Sequence, residues 1–173
     1  IGEYHLPNLR HVGAFATNGD RAIIVADVLE DAPQGFSCSQ DCRAPQLKTA
    51  GLVQFSTSVM DEIELPALTT CKDFKVFYST QLRRISAPLL DTAGYLQFEG
   101  NSVLTSVDFP KLATLDAISV AMNESLVDLS LPLANPGVAV GLSHMAKLET
   151  LSLPAMTGPS WDIVLDDQIR LQK

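Results

Sequence analysis

The sequence of 173 residues lacks the features that mark several protein classes. It holds only three cysteines, which are too few for a disulfide-dense miniprotein. No apolar run approaches the roughly 18 residues of a membrane-spanning helix, so no transmembrane segment is predicted. Basic residues are few, since twelve Lys and Arg stand against twenty Asp and Glu for a net charge of -8. Because nucleic-acid binding needs clustered positive charge, that class of partner is excluded.

Evenly spaced prolines are the main positive signal in the sequence. They stand at Pro45, Pro66, Pro88, Pro110, Pro132 and Pro154, at intervals of 21 or 22 residues. Apolar residues recur in phase with them, so the unit reads L-x-x-[IV]-x-[LF]-P-x-L-x5-[LI]-x-[FV]. Such a regular period indicates a repeat architecture in which each unit buries its apolar side against its neighbours.

Pro7 joins the proline series only after a longer gap, because 38 residues separate it from Pro45. We interpret the gap as one repeat plus an insertion, and predict that residues 31–43 form a projecting loop containing Pro33 and Gly35. Residues 160–173 break the period at the other end and are predicted to form a polar cap. Residues 1–173 as a whole are predicted to be a single solenoid domain.

Two short stretches in each unit alternate between apolar and polar residues, which is the pattern of half-buried strands. The first strand is exemplified by Leu96-Gln97-Phe98 and the second by Val107-Asp108-Phe109. Proline directly after the second strand ends its pairing and favours a corner. The sequence therefore predicts a mainly β fold, a right-handed β-solenoid of about seven coils of roughly 22 residues, with parallel sheets.

The coil that runs from Leu115 through Asn123 to Pro132 resembles the leucine-rich-repeat superfamily, closest to receptor L-domains and to the Leu/Pro repeats of surface proteins. The resemblance covers Leu6 to Met156. Asn stands at the turn position in two coils, Asn101 and Asn123, and Ser58, Ser79 and Met145 hold it in others. The resemblance implies a non-enzymatic module of the cell surface or the extracellular space.

Residues for catalysis, cofactors or metals are not predicted. Gly141-Leu142-Ser143-His144 is similar to a nucleophile motif but lacks the second glycine and the strand–turn–helix setting. The three histidines show no metal-ligand spacing, and no Gly-rich phosphate loop is present. The chain is accordingly predicted not to be an enzyme and to carry no cofactor.

Two positions leave alternatives open. Cys38 and Cys42 either form a short disulfide, in an oxidising compartment, or remain two thiols. Asn123-Glu124-Ser125 is an N-glycosylation sequon. The superfamily resemblance instead implies that Asn101 and Asn123 are buried and bond the turn backbone, and we favour that interpretation for Asn123.

Outward residues of the first strands differ from those of the second strands. The second strands expose a mildly acidic set, whereas the first strands expose aromatic, amide and charged side chains beside small ones. We predict a binding surface, called here the first-strand face, formed by Gln54, Lys75, Phe77, Tyr95, Gln97 and Glu99. The expected partner is a protein, with a glycan as the second candidate.

The leading functional hypothesis is recognition or adhesion outside the cell or at its surface. The alternative is a structural subunit or a fragment of a larger assembly, stacked through its solenoid ends, in an organelle lumen or a large intracellular complex. Ile1 is not Met and enters the repeat without a polar cap, which favours a processed chain or a fragment.

Overall fold

The computed structural model of the chain describes residues 2–17, 22–39, 41–133, 138–153 and 163–165. Within these ranges the chain forms strands and no helix. In chain order the strands are β1 (Gly2–His5), β2 (Ala14–Thr17), β3 (Ala22–Val25), β4 (Asp31–Ala32), β5 (Gly35–Cys38), β6 (Cys42–Arg43), β7 (Thr49–Ser56), β8 (Glu62–Glu64), β9 (Thr70–Phe77), β10 (Arg84–Ser86), β11 (Thr92–Glu99), β12 (Ser106–Asp108), β13 (Thr114–Ala121), β14 (Asp128–Ser130), β15 (Ala139–Ser143), β16 (Thr150–Ser152) and β17 (Ile163–Leu165).

The longer strands form one nine-stranded sheet, called here the first sheet. Its order is β17-β15-β13-β11-β9-β7-β5-β2, with the short β4 beside β7, and every pairing is parallel. The shorter strands lie on the other side of the coils in three separate sheets, β1-β3-β6, β8-β10-β12 and β14-β16. The result is a β-solenoid of about six turns spaced about 22 residues apart. The predicted mainly β solenoid is confirmed, with six such turns where about seven were expected.

Inward side chains of neighbouring coils stack directly on one another. In the first sheet, Val53, Phe74, Leu96, Ile118 and Val140 occupy one register row and are all buried. Since burying each large apolar side chain contributes roughly 1.5–3 kcal/mol, this ladder is a main source of stability. The apolar residues of the alternating first strands thus point inward, as the half-buried strand pattern predicts.

A tight turn explains why a proline recurs in each unit. The Leu68 amide donates to the Leu65 carbonyl at 3.2 Å, which closes a four-residue turn with Pro66 in its second position. Proline suits that position because its fixed φ matches the turn. The leucine that ends this turn is buried, as are Leu29, Leu47, Leu90 and Leu112 at the same place in other coils, so these corners also add to the core.

The prediction of a projecting loop over residues 31–43 is wrong. The segment contains β4, β5 and β6, and β5 lies between β2 and β7 in the first sheet with Phe36 and Cys38 fully buried. The 38-residue gap is an additional coil, because the corner turn recurs at Ala26, where the Leu29 amide donates to the Ala26 carbonyl at 3.2 Å. Asp27 occupies the position that proline holds in the other turns, so the spacing of prolines did not indicate this coil.

The predicted cap over 160–173 falls largely outside the described residues. Of that segment only β17 is described, and it pairs in parallel with β15 at the end of the first sheet. The described chain holds no helix that is long and apolar enough to cross a bilayer.

Candidate functional site

The first-strand face consists of three register rows that run across the coils. Strand pairing places Gln54, Lys75, Gln97, Ser119 and Gly141 in the central row. The flanking rows are Leu52, Asp73, Tyr95, Ala117 and Ala139, and Ser56, Phe77, Glu99, Ala121 and Ser143. Parallel strands lie about 4.8 Å apart, so all six predicted residues share one surface. The register brings the six residues together, and their role in binding stays a prediction.

Lys75 lies at the centre of the aromatic half of this face, which holds Gln54, Lys75, Phe77, Tyr95, Gln97 and Glu99. Its Nζ lies 3.1 Å from the Asp73 carboxylate and 5.6 Å from the centroid of the Tyr95 ring. The ion pair and the cation–π contact both hold the long side chain against the sheet. These two contacts restrict the rotamers of the Lys75 side chain.

Tyr78 extends the face beyond the residues that the sequence indicated. Its ring centroid lies 6.5 Å from that of Phe77, and its hydroxyl donates to Glu99 Oε1 at 2.8 Å. The hydrogen bond to Glu99 is the main cause that raises the pKa of Tyr78, followed by the negative charge of Glu99. The side chain is 52% exposed, so Phe77 and Tyr78 form a paired aromatic edge on the surface.

Sequence reasoning missed Tyr78 because it lies one position past the alternating strand. Its backbone φ is 51°, in the left-handed region, and Thr57, Met122 and His144 have φ values of 53° to 54° at the same place in other coils. Gly100 holds the same place in a fifth coil with a φ of 71°, so these five coils turn at a left-handed residue. Because of this turn, the in-and-out alternation of the strand does not predict where the side chain of Tyr78 points.

Small residues form the other half of the face. Ala117, Ser119, Ala121, Ala139 and Gly141 follow the aromatic half in register, toward β15. They leave a flat surface beside the raised rings of Tyr95, Phe77 and Tyr78. A partner backbone can approach such a surface closely while its side chains contact the aromatic half.

Among the described residues no group of three or more His, Cys, Asp or Glu side chains is placed to hold a metal ion. The polar groups of the first-strand face are instead paired with one another, as Lys75 is with Asp73 and Tyr78 with Glu99.

Cys38 and Cys42 form a disulfide, which decides the alternative that the sequence left open. The bond joins β5 of the first sheet to β6 on the second side, and both cysteines are buried.

Cys71 is a free, buried thiol, and burial is the main cause that raises its pKa to about 12.

Asn123 is a buried structural residue, and the glycosylation interpretation is wrong for the folded chain. Its Nδ2 donates to the carbonyls of Phe98 at 2.9 Å and Ala121 at 2.8 Å. Its Oδ1 accepts from the backbone and side-chain nitrogens of Asn101 at 3.3 and 3.1 Å. Both side chains are fully buried, so the Nδ2 that would carry a glycan is already enclosed and bonded.

The asparagine row continues as serines in the preceding coils. Asn101 Oδ1 accepts from the Ser79 amide at 3.0 Å, and Ser79 Oγ accepts from the Ser58 amide at 3.2 Å. These side chains satisfy backbone donors that the turn leaves without a strand partner. A polar ladder thus runs beside the apolar core through four coils.

A cleft of about 750 Å³ lies on the second side of the solenoid, away from the first-strand face. It lies between β6 and β8, where two of the short sheets end. Sequence reasoning did not indicate it, because the interruption leaves no break in the repeat period.

The chain is similar to a curated protein named "Cell surface GPI-anchored protein" from Arthroderma benhamiae (strain ATCC MYA-4681 / CBS 112371). The two are 30% identical over 157 residues, which cover 90% of this chain. The chain spans 39% of the length of that relative. No family model matches the chain, and no solved structure matches it.

Proposed function

We propose that the chain is a non-enzymatic module of the cell surface or extracellular space that recognises a partner protein through the first-strand face. The observation that carries the proposal is the division of one flat sheet surface into an aromatic, charged half and a small, flat half. Contact surfaces of proteins favour such aromatic anchors within a polar surrounding.

The aromatic half has the chemistry of an energetic centre for binding. Tyr95 and Tyr78 each offer a rigid apolar ring with a polar tip, and tyrosine is enriched among residues that dominate binding energy. Lys75 is already held by Asp73 and by the Tyr95 ring, at 3.1 Å and 5.6 Å. Since its rotamer freedom is restricted in advance, less entropy is lost when a partner covers it.

Two observations support a location outside the cytosol. The Cys38–Cys42 disulfide is of a kind that persists in oxidising compartments and is rare in the cytosol. The relative from Arthroderma benhamiae carries a cell-surface name.

Membership of the leucine-rich-repeat superfamily is part of the same proposal, and it is supported by the repeat unit and by the buried ladder of Asn101 and Asn123.

Photo-crosslinking tests the proposal. A photoreactive benzophenone amino acid replaces Gln97, at the centre of the first-strand face, or Thr150, which is exposed on the second side. Each fluorescent chain is irradiated on an array of purified extracellular proteins printed beside immobilised glycans, and then washed with denaturant. We expect covalent label on a subset of protein spots from position 97 and little from position 150.

Three results would contradict the proposal. Equal labelling from both positions would mean that contact with the array is unspecific. An absence of retained label from position 97 would mean that the face recognises none of the arrayed classes. Label confined to glycan spots would replace the protein partner by a carbohydrate.

A further inference from the structure

The second side of the solenoid is interrupted between β6 and β8. Strand β6 is the last strand of the sheet β1-β3-β6, and β8 is the first strand of the sheet β8-β10-β12. In the described chain neither strand is paired on the side that faces the other. The cleft of about 750 Å³ fills the interval, and its volume lies within the range of ligand sites.

Backbone groups of both strands point into this cleft. The carbonyls of Asp41 and Arg43 accept from Ile24 at 2.9 Å and from Ala26 at 2.8 Å, so these groups face β3. On the other wall, the carbonyl of Asp61 and the amide of Leu65 bond β10. Because successive residues of a strand direct their backbone groups to opposite sides, Cys42, Glu62 and Glu64 present theirs to the cleft. The cleft is therefore bordered by two open strand edges.

The lining of the cleft is strongly acidic. Six carboxylates contribute to it, namely Glu3, Asp27, Asp41, Asp61, Glu62 and Glu64. Arg43 lies 3.7 Å from Glu3, and His5 lies 3.4 Å from Glu3 and 3.6 Å from Asp27. Asp61, Glu62 and Glu64 form no ion pair within the described part of the chain, and Arg84, which lies beside Glu62 in register, pairs instead with Asp108 at 3.3 Å.

An apolar element lies beside these charges. Val59 is 57% exposed and lines the cleft together with Met60. The opposite wall is fixed to the first sheet, because Cys42 of β6 forms the disulfide with Cys38 of β5. The cleft thus combines two strand edges, negative charge and an apolar contact on a tethered framework.

We propose that the cleft binds an extended segment of a partner protein in which basic and apolar residues alternate. The segment adds a strand between β6 and β8, and its backbone bonds Cys42, Glu62 and Glu64 in the way that peptides extend open sheet edges. Its basic side chains contact the carboxylates of the lining, and its apolar side chains contact Val59. The proposal is independent of the first-strand face, which lies on the other side of the coils.

A synthetic peptide of alternating lysine and valine is the probe, and its binding to the purified chain is measured by fluorescence anisotropy. The variant pair Glu62→Lys and Glu64→Lys reverses the charge of one wall. The matched pair Asp128→Lys and Glu149→Lys makes the same change of net charge away from the cleft. We expect the first pair to weaken binding about tenfold or more and the second pair to change it by less than about threefold.

A second probe separates strand addition from simple charge attraction. The same peptide with methylated backbone amides keeps its lysines but cannot donate to an open strand edge, so we expect its affinity to fall about tenfold or more. The proposal is overturned if the unmodified peptide does not bind, if both variant pairs weaken binding equally, or if the methylated peptide binds as well as the parent. Variants at Phe77 and Tyr95 leave this binding unchanged, which keeps it distinct from the proposed recognition function.

Discussion

At the residue scale, single polar side chains complete the turns that the coils cannot close by strand pairing. Asn123 makes four hydrogen bonds while fully buried, and Asn101 and Ser79 continue the ladder into earlier coils. The superfamily resemblance suggested this role for the asparagines, because they occupy equivalent repeat positions. Ser58 and Ser79 occupy the same repeat position, but a serine there does not by itself indicate a buried ladder, since serine is common on exposed turns as well.

Replacing Asn123 by alanine should destabilise the middle coils. The change removes the acceptor of the Asn101 amide and one donor to each of the carbonyls of Phe98 and Ala121, and a buried group left unpaired costs about 1–3 kcal/mol. The Ala121 carbonyl keeps the bond that it accepts from the Gly100 amide at 3.0 Å. We expect a loss of roughly 2–5 kcal/mol in urea unfolding. The control is Ser125→Ala, which removes the sequon and should leave the free energy of unfolding within about 0.5 kcal/mol of the parent. A parent-like midpoint for Asn123→Ala would show that the ladder is not a stabilising element.

Gly100→Ala should also be destabilising, for a steric reason. Gly100 has a φ of 71°, and a Cβ there would lie 2.4 Å from the Tyr78 ring. We expect a loss of about 1–3 kcal/mol, partly restored when Tyr78→Ala is added in a double-mutant cycle. Met122→Ala at the equivalent place serves as control, because Met122 already adopts a φ of 53° with a side chain. Equal stability of Gly100→Ala and the parent would contradict the packing of Tyr78 on Gly100.

The Cys71 thiol should resist modification in the folded chain. Burial raises its pKa from 9.0 to about 12, so the reactive thiolate is scarce at pH 8 in the native state. We expect iodoacetamide to modify the chain at pH 8 only after denaturation, as measured by mass. Because the folded pKa is the higher one, the linked stability is complete below pH 9 and declines as the pH rises toward 12. Equal modification rates for folded and unfolded chain would mean that Cys71 is not buried.

At the element scale, the coil is the unit that sequence could largely predict. Period-two alternation identified the strands and the inward ladder of Phe74, Leu96 and Ile118, because a half-buried strand imposes that pattern. The coil around Phe36 was missed because Asp27 replaces proline and because that region is spaced more closely than 22 residues. The cleft was missed for a different reason, since a break in strand pairing leaves the repeat period intact.

Deletions distinguish the coil from the loop that was first expected. Removing residues 26–43 joins Val25 to Ala44, which continues the same corner turn, so one whole coil is lost in register. Removing residues 31–43 instead deletes β5, with its buried Phe36, but keeps the corner before it. We expect cooperative thermal unfolding, followed by circular dichroism, for the 26–43 deletion and its loss for the 31–43 deletion. A stable, cooperative 31–43 deletion would restore the loop interpretation.

At the scale of the whole molecule, the solenoid presents two surfaces with different chemistry. The first-strand face carries aromatic rings and paired charges, whereas the second side carries an acidic, interrupted sheet. The parallel register that places Lys75 beside Gln54 and Gln97 follows from the repeat, so the outward rows could be predicted from the sequence. The mutual contacts of these side chains could not, because they depend on rotamers. The alternative of a subunit that stacks through its ends stays a prediction.

The affinity of the partner captured from position 97 for two double variants tests the central claim most directly. Phe77→Ala with Tyr95→Ala removes the aromatic anchors, and Asp108→Ala with Asp128→Ala truncates the second side. Both are checked for a parent-like melting temperature before biolayer interferometry. Since truncating a dominant contact residue costs about 2 kcal/mol or more, we expect the aromatic pair to weaken binding by about a hundredfold and the acidic pair by less than about threefold. Parent-like affinity of the aromatic pair, with the loss appearing in the acidic pair, would contradict recognition through the first-strand face.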